Sequence, residues 1–232
     1  MVDFTFAHRK EGFDEHIDKS IRGYADLLDD VISLSRYFVE EGTNVYDIGC
    51  STGKLTQRML EANQDFCAAA NYVGIEIADG FYDDMLQRQE HINTIHPWAS
   101  VDLRHEDVRD TEFENASLIT SIFTLQFMSK NDRRHTIQRI YDGLNEGGAF
   151  IFAEKTVCQS ANFQDMLTFN FYDYKRKHFG TEDIMDKERT LRNMLKPNTW
   201  NEIVNMLKCA GFNDVQSFWQ NHTFVGAMAI KN

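Results

Sequence analysis

Apolar residues recur along this chain in two alternating rhythms. Short runs at 45–48, 72–77, 100–104, 117–123 and 149–153 have the length and β-branched content of buried or half-buried strands. Between them lie stretches with apolar residues three and four apart. Residues 21–39 carry Tyr24, Leu27, Leu28, Val31, Ile32, Leu34 and Phe38 in that spacing, and 54–61, 79–88 and 132–144 read as helices too. Asn145, Glu146, Gly147 and Gly148 are expected to stop the last of these, and 92–99, with Pro97 and Trp98, to form a loop. Downstream, 163–180 is aromatic-rich and helical, and 186–195 is charged and helical. A helix over 199–210 has Thr199 as N-cap, Glu202 completing a capping box and Gly211 as its stop. Residues 214–219 and 222–231 alternate as an antiparallel strand pair. Residues 1–23 are polar, with Phe4, Phe6 and Phe13 dense enough to imply packing on something.

Strand and helix in alternation predict a doubly wound α/β fold of Rossmann-like type. Its sheet is mostly parallel and ends in a C-terminal antiparallel strand pair. No repeat or low-complexity linker divides the chain, so 1–232 is expected to be one domain. It would have an N-terminal helical segment, 1–40, and a lid-like helical insertion, 156–198.

Composition removes several classes of function. A net charge of −12 argues against a direct nucleic-acid surface, which needs a Lys/Arg-rich face. The four cysteines form no C-x-x-C pair and the eight histidines no metal-ligand spacing, so no metal is expected. The first residues lack an apolar signal region and no run approaches membrane-spanning length; a soluble, cytoplasmic protein without a membrane partner is the expectation.

The candidate chemistry begins where the first strand ends. Asp47-x-Gly49-x-x-x-Gly53 lies between an apolar run and a helix, where backbone N–H groups can approach a ligand. It is neither a Walker loop nor the dinucleotide G-x-G-x-x-G. The pattern resembles the first motif of class I S-adenosylmethionine (SAM)-dependent enzymes. Glu76, 29 residues after Asp47, ends the second strand where an acid accepts ribose hydroxyls. Asp107 follows the third, where the same resemblance implies contact with the adenine amino group, a donor that an acceptor-only carboxylate suits. Cys50 is read as a small packing residue because no dedicated base is near it.

More distinctive stretches follow. Glu114-Asn-Ala-Ser117, Phe123-Thr-Leu-Gln-Phe127, Ile140-Tyr-Asp-Gly-Leu-Asn-Glu-Gly-Gly148, Glu154-Lys155, Asp173-Tyr-Lys-Arg176 and Phe218-Trp-Gln220, with Lys19-Ser-Ile-Arg-Gly-Tyr24 upstream, resemble the carboxy-S-adenosyl-L-methionine synthase family across nearly the whole chain. That resemblance implies a SAM-dependent transferase that moves a carboxyl group from prephenate to the sulfonium methyl of SAM. Its product, carboxy-SAM, serves tRNA wobble-uridine modification, and the protein is a homodimer. Such chemistry requires two ligands held in reacting geometry, water kept out, and a cation facing the new carboxylate. Residue by residue, the resemblance implies that Tyr24, Gly49, Cys50 and Ser51 line the SAM site, Glu76 meets the ribose, and Asp107 with Val108 meets the adenine. Ile77 and Ile122 stand where the family has asparagine. An ungapped match back from Trp200 puts Glu188 at the family's carboxylate-binding arginine. A one-residue shift puts Arg189 there, and Arg189 is the expected ligand. The alternatives are an ordinary methyltransferase acting on a small acceptor and a catalytically silent SAM-binding partner. Tyr172 and Tyr174 either wall the second-substrate pocket or pack within a lid. Lys175, Arg176 and Lys177 read as a solvated basic face or as cations toward an anionic substrate such as prephenate, and Arg22 as a cation at the rim.

Overall fold

The computed structural model describes residues 12–232. Phe4 and Phe6 therefore lie outside the described residues, whereas Phe13 packs edge-on against Phe81 with ring centroids 4.9 Å apart.

Among the described residues seven strands form one sheet: β1 Asn44–Ile48, β2 Asn71–Glu76, β3 Ser100–His105, β4 Ala116–Ile122, β5 Leu144–Lys155, β6 Asp214–Asn221 and β7 Phe224–Ile230. Their order is β3-β2-β1-β4-β5-β7-β6. The first five pair in parallel, and β7 runs antiparallel to both β5 and β6. This is the doubly wound sheet with a C-terminal antiparallel pair that the alternating rhythms predict. Because β2 and β3 extend to one side of β1 while β4 returns to its other side, the strand order reverses between β1 and β4. Ligands of open α/β sheets bind at the carboxyl ends beside that reversal.

Among the described residues eight α-helices cover the sheet: α1 Phe13–Ser20, α2 Tyr24–Ser35, α3 Lys54–Asn63, α4 Tyr82–Ile95, α5 Lys130–Gly143, α6 Ala161–Lys175, α7 Thr181–Met194 and α8 Trp200–Ala210. The period-two pattern of β5 shows how both faces are filled. Phe150 and Phe152 point to one face, with Ile137, Ile140, Ile203 and Leu207 of α5 and α8. Ala149, Ile151 and Ala153 point to the other, with Leu27, Val31, Leu55 and Met59 of α2 and α3. None of the described helices is long and apolar enough to cross a membrane.

Several boundaries differ from the periodicity. The helix expected over 21–39 is confined to α2, because Gly23 adopts φ 75° and separates it from α1. The expected loop at 92–99 is helical through Ile95. Ile92 is fully buried, and Gln89 bonds the edge strand, donating to the Val101 carbonyl at 2.9 Å and accepting the Leu103 N–H at 2.8 Å. The expected helix stop at 145–148 is instead the start of β5. Leu144 pairs with Ala116, and Gly147 at φ 80° bends the strand. α7 begins at Thr181, five residues before the charged run that announced it. The Thr199–Glu202 capping box forms on both sides as read, and Gly211 follows α8 at φ 120°.

Candidate functional site

A cavity of about 830 Å³ opens over the carboxyl ends of β1, β2, β4 and β5, within the size range of small-molecule sites. Its walls divide chemically into two ends.

The first end is built from the turn after β1. Gly49 takes φ 73°, and a Cβ there would fall 2.0 Å from Thr124 Oγ1, so only glycine fits. The Gly49 and Cys50 N–H groups donate to the Ile75 carbonyl at 2.7 and 3.1 Å, tying the turn to β2. Beneath it, Asp47 accepts the Thr56 and Thr120 hydroxyls, each at 2.8 Å. Burial pushes the Asp47 carboxyl up, opposed by those two hydroxyl bonds. With both oxygens engaged, Asp47 acts as the brace of the turn. Gly53, at φ 75°, begins α3 and packs on Leu103 outside the cavity wall, so it shapes the turn without lining it.

Glu76 is buried at the end of β2. One oxygen accepts the Ser51 N–H at 3.1 Å and the other the Ala78 N–H at 2.8 Å. Burial raises its pKa, and the backbone bonds from Ala78 and Ser51 oppose that shift. Asp107 is held ionised chiefly by the Arg109 guanidinium, whose Nε lies 2.9 Å from Oδ2. Tyr24, Ile77, Val108 and Ile122 complete this end. Two fixed carboxylates, backbone donors and apolar walls fit an adenosine-bearing ligand: acceptors for hydroxyls and an amino group, with flat surface between them.

β4 hands over to the second end through Phe123, which sits at φ 58°, a conformation an aromatic residue adopts only when its surroundings impose it. Its neighbour Gln126 imposes it. The Gln126 amide donates to the Phe123 carbonyl at 3.0 Å and accepts the Lys155 N–H at 2.7 Å. The Phe-Thr-Leu-Gln-Phe stretch thus staples the end of β4 to that of β5. Beyond it the walls are Phe123, Phe171, Phe224, Leu191 and Leu195, with Lys155, Lys175 and Glu188 among them.

Here the structure corrects the sequence reading. Arg189 does not face the cavity; it is 74% exposed and pairs with Asp186 at 2.8 Å. Glu188 faces inward instead, with Lys175 Nζ at 3.4 Å and Lys155 Nζ at 3.9 Å. Arg189 lies about 100° further round α7, on its solvent side. Ile184, Glu188, Leu191 and Leu195 share the inner stripe. That i, i+4, i+7 signal was available in the sequence and decides the register. Lys175 is likewise no part of a solvated face: it is buried one turn after buried Phe171, whereas Arg176 and Lys177 are exposed. Tyr172, Tyr174 and Arg22 lie outside the cavity wall.

Residues 46–150 match the family model described as "Methyltransferase domain". The carboxy-S-adenosyl-L-methionine synthase of Staphylococcus epidermidis is 38% identical over 94% of this chain and 92% of its own length. That of Shewanella baltica is 34% identical over all of this chain and 94% of its own. Among solved structures, magnesium protoporphyrin IX methyltransferase from Synechocystis, with bound SAH, superposes with a TM-score of 0.62 at 13% identity. It covers 93% of this chain and 87% of that one, a likeness of fold.

Proposed function

The chain belongs to the carboxy-S-adenosyl-L-methionine synthase family and is a SAM-dependent transferase. On that premise we propose that it transfers a carboxyl group from prephenate to the sulfonium methyl of SAM, for use in tRNA wobble-uridine modification. One observation carries the reading: a single cavity joins an end suited to a nucleoside with an end that presents ammonium groups. Bound SAM supplies a sulfonium group that acidifies its own methyl. In this proposal Glu76 accepts the ribose hydroxyls and Asp107 the adenine amino group. Tyr24, Cys50, Ser51, Ile77, Val108 and Ile122 enclose the nucleoside, and Gly49 and Gly53 set the turn that Asp47 braces. Phe123, Phe171 and Phe224 keep water from the reacting centre. The homodimer that the family resemblance implies is proposed with it; exposed Phe163, Met166 and Phe169 on α6 offer apolar surface for it.

Mass spectrometry of a reaction holding the protein, SAM and prephenate tests the transfer. A nucleoside heavier than SAM by one carbon dioxide is expected, with phenylpyruvate released and the prephenate hydroxyl leaving as water with the proton lost from the methyl group. The anionic Glu188 inside the cavity favours one rival, a methyltransferase on a small acceptor. S-adenosylhomocysteine without carboxy-SAM would select it. Neither product, with SAM bound, would leave a silent binding partner.

A further inference from the structure

Three segments that wall the cavity converge on one buried residue, Gln126. Its side-chain amide donates to the Phe123 carbonyl just past β4, at 3.0 Å, and accepts the Lys155 N–H at the end of β5, at 2.7 Å. Its backbone is engaged as well. The N–H donates to Glu154 Oε1 at 3.2 Å, and the carbonyl accepts the Lys196 N–H at 2.7 Å. Lys196 directly follows Leu195, which lines the cavity at the end of the α7 stripe. Arg133 fastens the same corner from α5, donating to the Leu125 and Lys196 carbonyls at 2.9 and 2.8 Å. Breaking such a buried network strands polar groups out of water, so the corner favours one arrangement. Phe123 bears the strain of it. Its N–H extends the ladder to the Ala153 carbonyl at 2.8 Å, and the chain then turns at φ 58°, a genuine outlier for a bulky residue. Strained backbone persists only where its surroundings over-determine it, and such positions cluster at ligand sites. The Phe123 ring packs on Phe224 and Tyr24, with centroids 5.5 and 6.1 Å away. Tyr24 belongs to the nucleoside end and Phe224 to the far end, so this ring stands at the junction of the two.

We propose that Gln126 is a positioning residue of the transfer, acting through Phe123 and Lys155 to set the spacing between the two ends of the cavity. The reaction it serves rests on the carboxyl-transfer reading; the fastening itself does not. Transfer needs the reacting atoms held close and aligned, and a misplacement of about 1 Å can cost on the order of a hundredfold in rate. One amide, with a donor and an acceptor in fixed geometry, joins the strands that carry the two walls, so neither shifts without the other. The nucleoside is held independently of it. Glu76 and the Gly49 turn are tied to one another and to β2 through the Ser51, Ala78 and Ile75 backbone. Loss of Gln126 therefore separates turnover from SAM affinity.

The test is steady-state carboxy-SAM formation, with SAM affinity measured by calorimetry on the same protein. Gln126→Met fills the space without bonding, and is expected to lower kcat at least about tenfold while SAM affinity stays within about threefold. The Lys155 N–H, having lost its acceptor, should exchange with solvent at least about tenfold faster in the SAM-loaded protein. Because Gln126 acts through the Phe123 ring, Gln126→Met should cost less than about threefold in kcat once Phe123→Leu is present. Gln126→Glu keeps the shape and the acceptor for Lys155 but not the donor to Phe123. It carries the test should Gln126→Met not fold, with kcat lowered and Lys155 still protected. Wild-type kcat in either variant would overturn the proposal. So would a loss of SAM affinity as large as the loss of kcat, or fully additive effects of Gln126→Met and Phe123→Leu, since either marks a residue that only stabilises the fold. A wild-type protein that binds SAM and forms no carboxy-SAM sinks the carboxyl-transfer reading instead. The fastening is then judged on Lys155 exchange, and an unchanged rate in Gln126→Met overturns it.

Discussion

Glu154 ends the inner part of β5 with one oxygen accepting the Gln126 N–H at 3.2 Å and the other without a partner among the described residues. Burial pushes its pKa up to about 7, against the pull of Arg133. Arg133 is itself buried and fixed to the Leu125 and Lys196 carbonyls and to Asn198. A carboxyl whose folded pKa is raised binds its proton more tightly in the native state, so its contribution to stability is greatest in acid and is lost as pH rises to about 7. Glu154→Gln is expected to flatten that loss, worth up to about 3 kcal/mol, in urea unfolding at pH 5 and pH 8. An unchanged slope with pH would show that Glu154 is already satisfied. The same scale explains what the residues alone could not say at position 188. A local match along the chain allows Glu188 or Arg189, and only the common face with Ile184 and Leu191 selects between them.

Among elements, α8 was the most legible. Thr199 accepts the Glu202 N–H at 3.2 Å and Glu202 accepts the Thr199 N–H at 2.8 Å, a local exchange that needs no tertiary partner. The backbone bond from Thr199 and the side-chain bond from Asn198 hold Glu202 down to about 2. Thr199→Ala is expected to cost about 1 kcal/mol at pH 7, seen as roughly a 2–4 °C fall in melting temperature. The deficit should shrink as pH falls toward 2, where the wild type loses the Glu202 charge too. An undiminished melting temperature at pH 7 would deny the cap any role. Strand cores and the glycine turn were legible for a similar reason: their signals are local. The start of β5 at Leu144 and the continuation of α4 to Ile95 were not, because each depends on a distant partner, Ala116 in one case and the β3 edge in the other. Buried Lys175 belongs with them. Its sequence neighbours are basic, and only the fold shows which of the three turns inward.

At the scale of the molecule, a net charge of −12 belongs to a chain whose cavity carries Lys155, Lys175 and Glu188 at its far end. Phe163, Met166 and Phe169 are exposed by 63%, 64% and 62% at three-residue spacing on α6. If a second copy covers them, Met166→Glu is expected to shift sedimentation from dimer to monomer at micromolar concentration. A wild-type chain that sediments as a monomer would refute the dimer. The helices over the cavity also differ in how firmly they are held. Ile184 is the one buried residue of α7, whereas α8 buries Ile203, Met206, Leu207 and Ala210 against the sheet. α7 therefore belongs to the low-stability end of the molecule, able to unfold locally while the sheet stays intact. A ligand that packs against Leu191 and Leu195 would oppose that local opening, so occupancy of the cavity and folding of its own wall are linked.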